Sequence, residues 1–186
     1  YGVRLLMPFS GRWFYGDSLF IVDPWLWILF GTSVILGGRN RVRAARMLIA
    51  VAAAYILIMM GSARAARNIV ADAWVRDTGT AAQSLMVGPV PVDPFRKAVI
   101  VDAGDRYRTG TFNWFDRRTV FTDLTIGKNA EHPAVSAARH DRQIAGILVW
   151  ARFPFWVIVP TTEGTRVTVR DMRFTQGYGE ALNHVD

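Results

Sequence analysis

Two stretches of almost pure hydrocarbon dominate the first third of the chain. Residues 24–38 (PWLWILFGTSVILGG) and 47–63 (MLIAVAAAYILIMMGSA) contain no charged side chain. Both are apolar on every face of a helical period, and helices of that kind belong in lipid or in a large core. Asp23-Pro24 is a start signal for the first, because Asp accepts free backbone N–H groups at an N-cap and Pro has no N–H to leave unbonded. Gly37-Gly38 is its stop. Between the two segments, Arg39, Arg41, Arg43 and Arg46 make a short basic turn without an acid. The pattern predicts a transmembrane hairpin. About 20 apolar residues cross a bilayer, so the 15-residue segment is short, and a buried core helix is the rival reading. An Arg-rich loop stays in the cytoplasm, which places Asp17, Asp23 and everything after residue 63 on the other side.

Beyond residue 63 the pattern changes. Residues 62–86 mix polar and apolar positions at helical spacing and predict a helix that continues out of the membrane and connects to the rest, with a break near Thr78-Gly79. Residues 87–94 (VGPVPVDP) are Pro-rich and read as an edge strand or linker. Alternation over 97–102, 106–114 and 119–126 predicts three strands, 131–150 one or two helices, and 155–159 and 165–174 two closing strands. The expected fold is therefore a membrane α-helical hairpin plus a small α+β domain with a mainly antiparallel sheet. Its divisions are 1–23, an interfacial loop; 24–63, the hairpin; 64–86, the connecting helix; and 87–186, the α+β domain, ending in a loose tail.

Composition sharpens this picture. The net charge of +7 invites a nucleic-acid reading, but residues 1–76 carry nine Arg against three Asp, whereas 77–186 are nearly balanced. The excess flanks the apolar segments and acts as a topology signal, so no nucleic-acid partner is expected. There is no Cys, which excludes a disulfide framework and thiolate metal sites. The chain opens on Tyr1 with no signal-peptide pattern, and is expected to begin inside a longer protein.

The candidate chemistry lies just ahead of the first apolar segment, in R-W-F-Y-G-D-S-L-F-I-V-D-P from Arg12 to Pro24. Trp13, Phe14 and Tyr15 suit an interfacial aromatic belt. Asp17 and Asp23 are the catalytic and metal-ligating candidates, since carboxylates at a membrane boundary are costly unless solvated, paired or metal-bound. They can ligate a divalent cation or position a water. Arg12 is the third candidate, able to neutralise an acid or hold a phosphate. The plainer alternative is a cap for Asp23 and a turn for Asp17. His132, His140 and His184 form no H-x-x-x-H spacing, and G-x-S-x-G, P-loop and G-x-G-x-x-G motifs are absent.

The segment P-F-S-G-R-W-F-Y-G-D-S-L-F-I-V-D-P, from Pro8 to Pro24, resembles the inner-membrane-associated metal-dependent hydrolase family, the LexA-binding, YdjM-like group. Residues 89–95 (PVPVDPF), 150–155 (WARFPF) and 171–174 (DMRF) are similar to that family's C-terminal domain. The resemblance implies the C-terminal portion of a multi-pass protein of the bacterial inner membrane, with its last domain extracytoplasmic. It implies a divalent metal ion, zinc being one candidate, with further His and Asp ligands ahead of Tyr1. Asp17, Asp23 and Arg12 are the site members it carries onto this chain, and location suggests a lipid or other ester substrate. The alternative function is a non-enzymatic membrane protein whose α+β domain binds a protein partner.

Overall fold

The structure, a computed structural model, describes residues 2–3, 6–11, 14–15, 17–19 and 22–175. Arg12, Trp13 and His184 lie outside the described residues, as does the expected tail. A short antiparallel pair, β1 (Gly2–Val3) with β2 (Phe14–Tyr15), precedes the helices.

Helix α1 (Pro24–Gly38) begins where the Asp-Pro signal places it, with the backbone of Asp23 extended and its carboxylate over the first turn. It closes with the Arg39 N–H on the carbonyls of Ile35 and Leu36. Asn40 then reverses the chain at φ 61°, in the left-handed region that Asn tolerates better than most residues. Helix α2 (Val42–Thr78) follows as one uninterrupted element of 37 residues. The hairpin arm and the connecting helix are therefore one element, as a helix continuing past residue 63 requires. Ala and Arg between residues 62 and 77 are strong helix formers, and nothing there breaks the backbone. The end comes at Gly79, at φ 74°, whose N–H returns to the Val75 carbonyl.

Ala45, Ala52, Met59 and Ala66 recur every seven residues along the buried stripe of α2, with Ala63, Val70 and Trp74 beside them. Small side chains let α1 approach closely. The Ser33 hydroxyl donates to the Ala45 carbonyl at 3.0 Å, and a Cβ on Gly37 would lie 3.9 Å from that of Ala45. Outside this stripe, α2 carries exposed Met47, Ile49, Val51, Leu57, Ile58 and Met60.

The remainder is α+β, as expected. Strands β3 (Ser84–Pro89), β4 (Arg96–Asp102), β5 (Arg106–Asn113) and β6 (Arg118–Gly127) form a meander in the order β3-β4-β5-β6. The Pro-rich segment is thus a strand only as far as Pro89, followed by a loop. Helices α3 (Pro133–Ala138) and α4 (Arg142–Trp150) are capped by the His132 ring and the Asp141 carboxylate. The closing strands β7 (Pro154–Thr161) and β8 (Gly164–Asp171) pair antiparallel as a separate two-stranded sheet.

The chain divides into two compact units. The first comprises Tyr1–Ala81, Met86–Val99 and Gly110–Val120; the second comprises Ala82–Leu85, Ile100–Thr109 and Phe121–Asp186. Within the second, Phe153, Phe155, Trp156, Tyr107, Val135 and Met172 are buried. Two of the resemblance motifs interlock there. Asp171 accepts from the backbone N–H of Arg152 at 2.8 Å and from the Arg173 guanidinium at 2.8 Å, and Arg173 also donates to the Trp150 carbonyl at 3.1 Å. Arg173 lies over the Trp150 and Phe174 rings. W-A-R-F-P-F and D-M-R-F therefore meet in one buried ion pair.

Burial pushes the Asp171 carboxyl up, but hydrogen bonds from Arg173 and from the Arg152 N–H, with the guanidinium charge, outweigh it and hold the group below its ordinary range. Asp171→Asn should cost roughly 3–5 kcal/mol, because Arg173 is left buried without its counter-charge. The wild-type contribution is complete above the unfolded carboxyl value of about 3.9 and is lost as pH falls through the lower folded value. Denaturant melts of both proteins between neutral and acid pH check this: the gap between them should close only in acid.

Candidate functional site

Asp23 is buried, and its oxygens are fully engaged. Oδ1 accepts from the backbone N–H groups of Trp25 at 3.0 Å and Leu26 at 3.2 Å, while Oδ2 accepts from the Tyr55 hydroxyl at 3.1 Å. The cap of α1 is thereby tied to the middle of α2. Trp25 extends the connection, its indole N–H donating to the Val92 carbonyl at 3.0 Å. Val92 has φ 69°, a strained conformation for a β-branched residue, and it is this loop geometry that presents the carbonyl.

Tyr55 precedes Ala63, the last residue of the uncharged run, by eight positions, about 12 Å along a helix at 1.5 Å per residue. Asp23 thus lies level with the interior of the apolar run. A carboxylate there must be satisfied by protein groups, and the three donors do that.

Asp17 lies elsewhere. With Ser18 it lines a cavity of about 400 Å³ whose helical wall is Met60, Gly61, Ala63, Arg64 and Arg67 of α2, closed by Val87. Arg64 and Arg67 are exposed and, three residues apart, share one face just past the apolar run. The structure therefore separates the two acids, one bonded to a tyrosine and the other lining a cavity that Arg64 and Arg67 also line.

Lys97 escaped the sequence reading. It is 0% exposed, and its Nζ has no hydrogen-bond partner among the described residues. Burial lowers its pKa, opposed by the charges of Asp93 and Asp23. The available signal was alternation: Lys97, Val99 and Val101 share one buried face of β4. Tyr55 was hidden inside a uniform apolar run. The histidines that the structure describes serve locally: the His132 ring accepts from the Ala134 N–H, and His140 Nδ1 pairs with the Ser136 carbonyl.

A metal fits these residues poorly. Asp23 spends both oxygens on three donors, and the cavity that Asp17 lines is also lined by Arg64 and Arg67. Among the described residues no group of three or more His, Cys, Asp or Glu side chains converges. Comparisons with family models, with curated proteins and with solved structures found no match to this chain.

Lys97→Met should stabilise the protein at neutral pH, since it removes a buried, unpaired ammonium and keeps the volume. The unfolded lysine titrates near 10.4 and the folded one lower, so the wild-type penalty is full below the folded pKa and relieved as pH rises toward about 10. Thermal melts in detergent at pH 7 and pH 10 test this; a gap that does not narrow at the higher pH contradicts it.

Proposed function

We propose that this chain is the C-terminal portion of a membrane-bound hydrolase that acts on an anionic ester at the bilayer surface. The observation that carries the reading is the cavity that Asp17 and Ser18 line together with Arg64 and Arg67. Two guanidinium groups on one helix face suit the oxygens of a phosphate or carboxylate. Asp17 is then the general base: it takes the proton of an attacking water, and the leaving alcohol is reprotonated from solvent. Asp23 acts as a positioning residue, fixing α1 against α2. Metal dependence, which the family resemblance implies, would need ligands other than those described, and no step is derived through one.

The membrane setting belongs to the same proposal. Helix α2 is long and apolar enough to cross a bilayer, and α1 is a shorter apolar helix. The two form a hairpin in the inner membrane. The 17 uncharged residues of α2 rise about 25 Å, with Arg39, Arg41, Arg43 and Arg46 on the cytoplasmic side and Arg64 and Arg67 at the opposite surface. A second reading, a non-enzymatic protein that binds a partner, is favoured by one observation: Trp150 and Phe174 stack edge-to-face while both remain exposed.

Hydrolysis of anionic phospholipid and phosphoester substrates by the protein in nanodiscs tests the enzyme reading. Asp17→Asn should lower turnover about 100-fold or more, and Arg64→Ala with Arg67→Ala should mainly raise KM. Wild-type turnover in Asp17→Asn would sink the assignment; loss of cellular function in a Trp150→Ser/Phe174→Ser protein that still hydrolyses substrate would favour the second reading. Topology has its own test, because the chain has no native Cys. In intact cells a Cys at Arg41 should resist an impermeant maleimide and one at Thr80 should react; equal labelling contradicts the span.

A further inference from the structure

On the other flank of α2 from the Asp17 groove lies a larger cavity, about 590 Å³, within the range of roughly 300–1,000 Å³ typical of small-molecule sites. Its helical wall includes Tyr55, Ile58 and Met59, and its opposite wall is Pro94, Phe95 and Trp114. The polar groups along it are few. Tyr55 has committed its hydroxyl to Asp23, Ser62 adds one further hydroxyl, and the rest of the wall is hydrocarbon and aromatic rings. We propose that this cavity binds a lipid acyl chain drawn from the surrounding bilayer.

Three observations choose that occupant over a water-soluble ligand. First, the helical wall except Ala65 belongs to the uncharged run of α2, where Leu57 and Ile58 are each 68% exposed. If that run lies in hydrocarbon, the surface leading into the cavity is lipid-facing. Second, the outer wall is continuous with an apolar tip. Phe95 stacks on Phe115 with ring centroids 4.9 Å apart, and Phe115 is 79% exposed, as an interfacial anchor would be. Third, the loop carrying that wall is pinned to α1 by the Trp25–Val92 hydrogen bond, with the exposed Val92 side chain held in a strained conformation. The cavity runs from Tyr55 to Ala65, about 15 Å along the helix axis. An extended chain can lie along this length, entering laterally without leaving the apolar phase.

The inference rests on the bilayer reading but not on the hydrolase reading. The test uses the protein in vesicles of phosphatidylcholine and phosphatidylglycerol containing a phospholipid with a diazirine at its acyl terminus. After photolysis, adducts are mapped by mass spectrometry. Wild type should be labelled at Phe95 and Trp114 as well as at Leu57. Ala65→Trp, at an exposed position that lines the cavity, should lose labelling at Phe95 and Trp114 and keep it at Leu57. The smaller Ala65→Leu reads the same way should the tryptophan disturb folding. Labelling of Leu57 alone in the wild type overturns the acyl-chain site and leaves the membrane reading standing. Absence of label at Leu57 and Ile49 as well overturns both.

Discussion

The arrangement of the first unit depends on one buried carboxylate. Asp23 starts α1, receives the Tyr55 hydroxyl from α2, and does so level with residues that have no polar side chain nearby on their own helix. In such surroundings a carboxylate cannot rely on water, so its three donors are a condition of its being there. Helix ends carry free N–H groups that also need partners, and the same atom supplies them. One interaction therefore meets two requirements and sets the level at which the short helix stands against the long one.

That level has consequences for everything above it. Because α1 begins opposite Tyr55, about two turns of apolar α2 continue past it. Those turns are flanked by the Pro-rich loop after β3 and by the turn after β5, through Pro94, Phe95 and Trp114. The opposite flank carries Asp17, Ser18, Arg64 and Arg67. A single helix thus presents an apolar cavity on one side of its buried alanine stripe and a charged groove on the other. Both are carried by one continuous helix that does not stop at the end of its apolar run.

The second unit is held by a different device. Asp171, Arg173 and the Arg152 backbone form a buried, fully bonded cluster over which Trp150 and Phe174 close. Lys128 adds another, donating to Asp102 at 2.7 Å beneath the Tyr107 ring. These bonds give a structural reason for the residues of W-A-R-F-P-F and D-M-R-F, independent of any reaction. Lys97, in the first unit, is the contrasting case: its Nζ is buried without a hydrogen-bond partner among the described residues, and the charges of Asp93 and Asp23 partly offset its burial.

Much of the secondary structure was legible in the residues themselves. The bounds of α1 follow from Asp-Pro and Gly-Gly, the strands from alternation, and the α+β class from their order, because capping and side-chain periodicity are local properties of the chain. The continuity of α2 past residue 63 was legible because helical spacing and backbone propensity persist through the change from apolar to mixed composition, as far as Gly79. Tyr55 and Lys97 were invisible as site members: one is a single polar atom in a hydrocarbon run, the other a lysine in an ordinary strand. Asp17 and Asp23, six residues apart in sequence, are sent to different surroundings by the turn between them and by the pairing of α1 with α2. The sequence alone determined which segments are helix, strand and apolar surface. Only the tertiary structure decided which charge meets which partner, because burial and hydrogen bonding are made by residues distant along the chain.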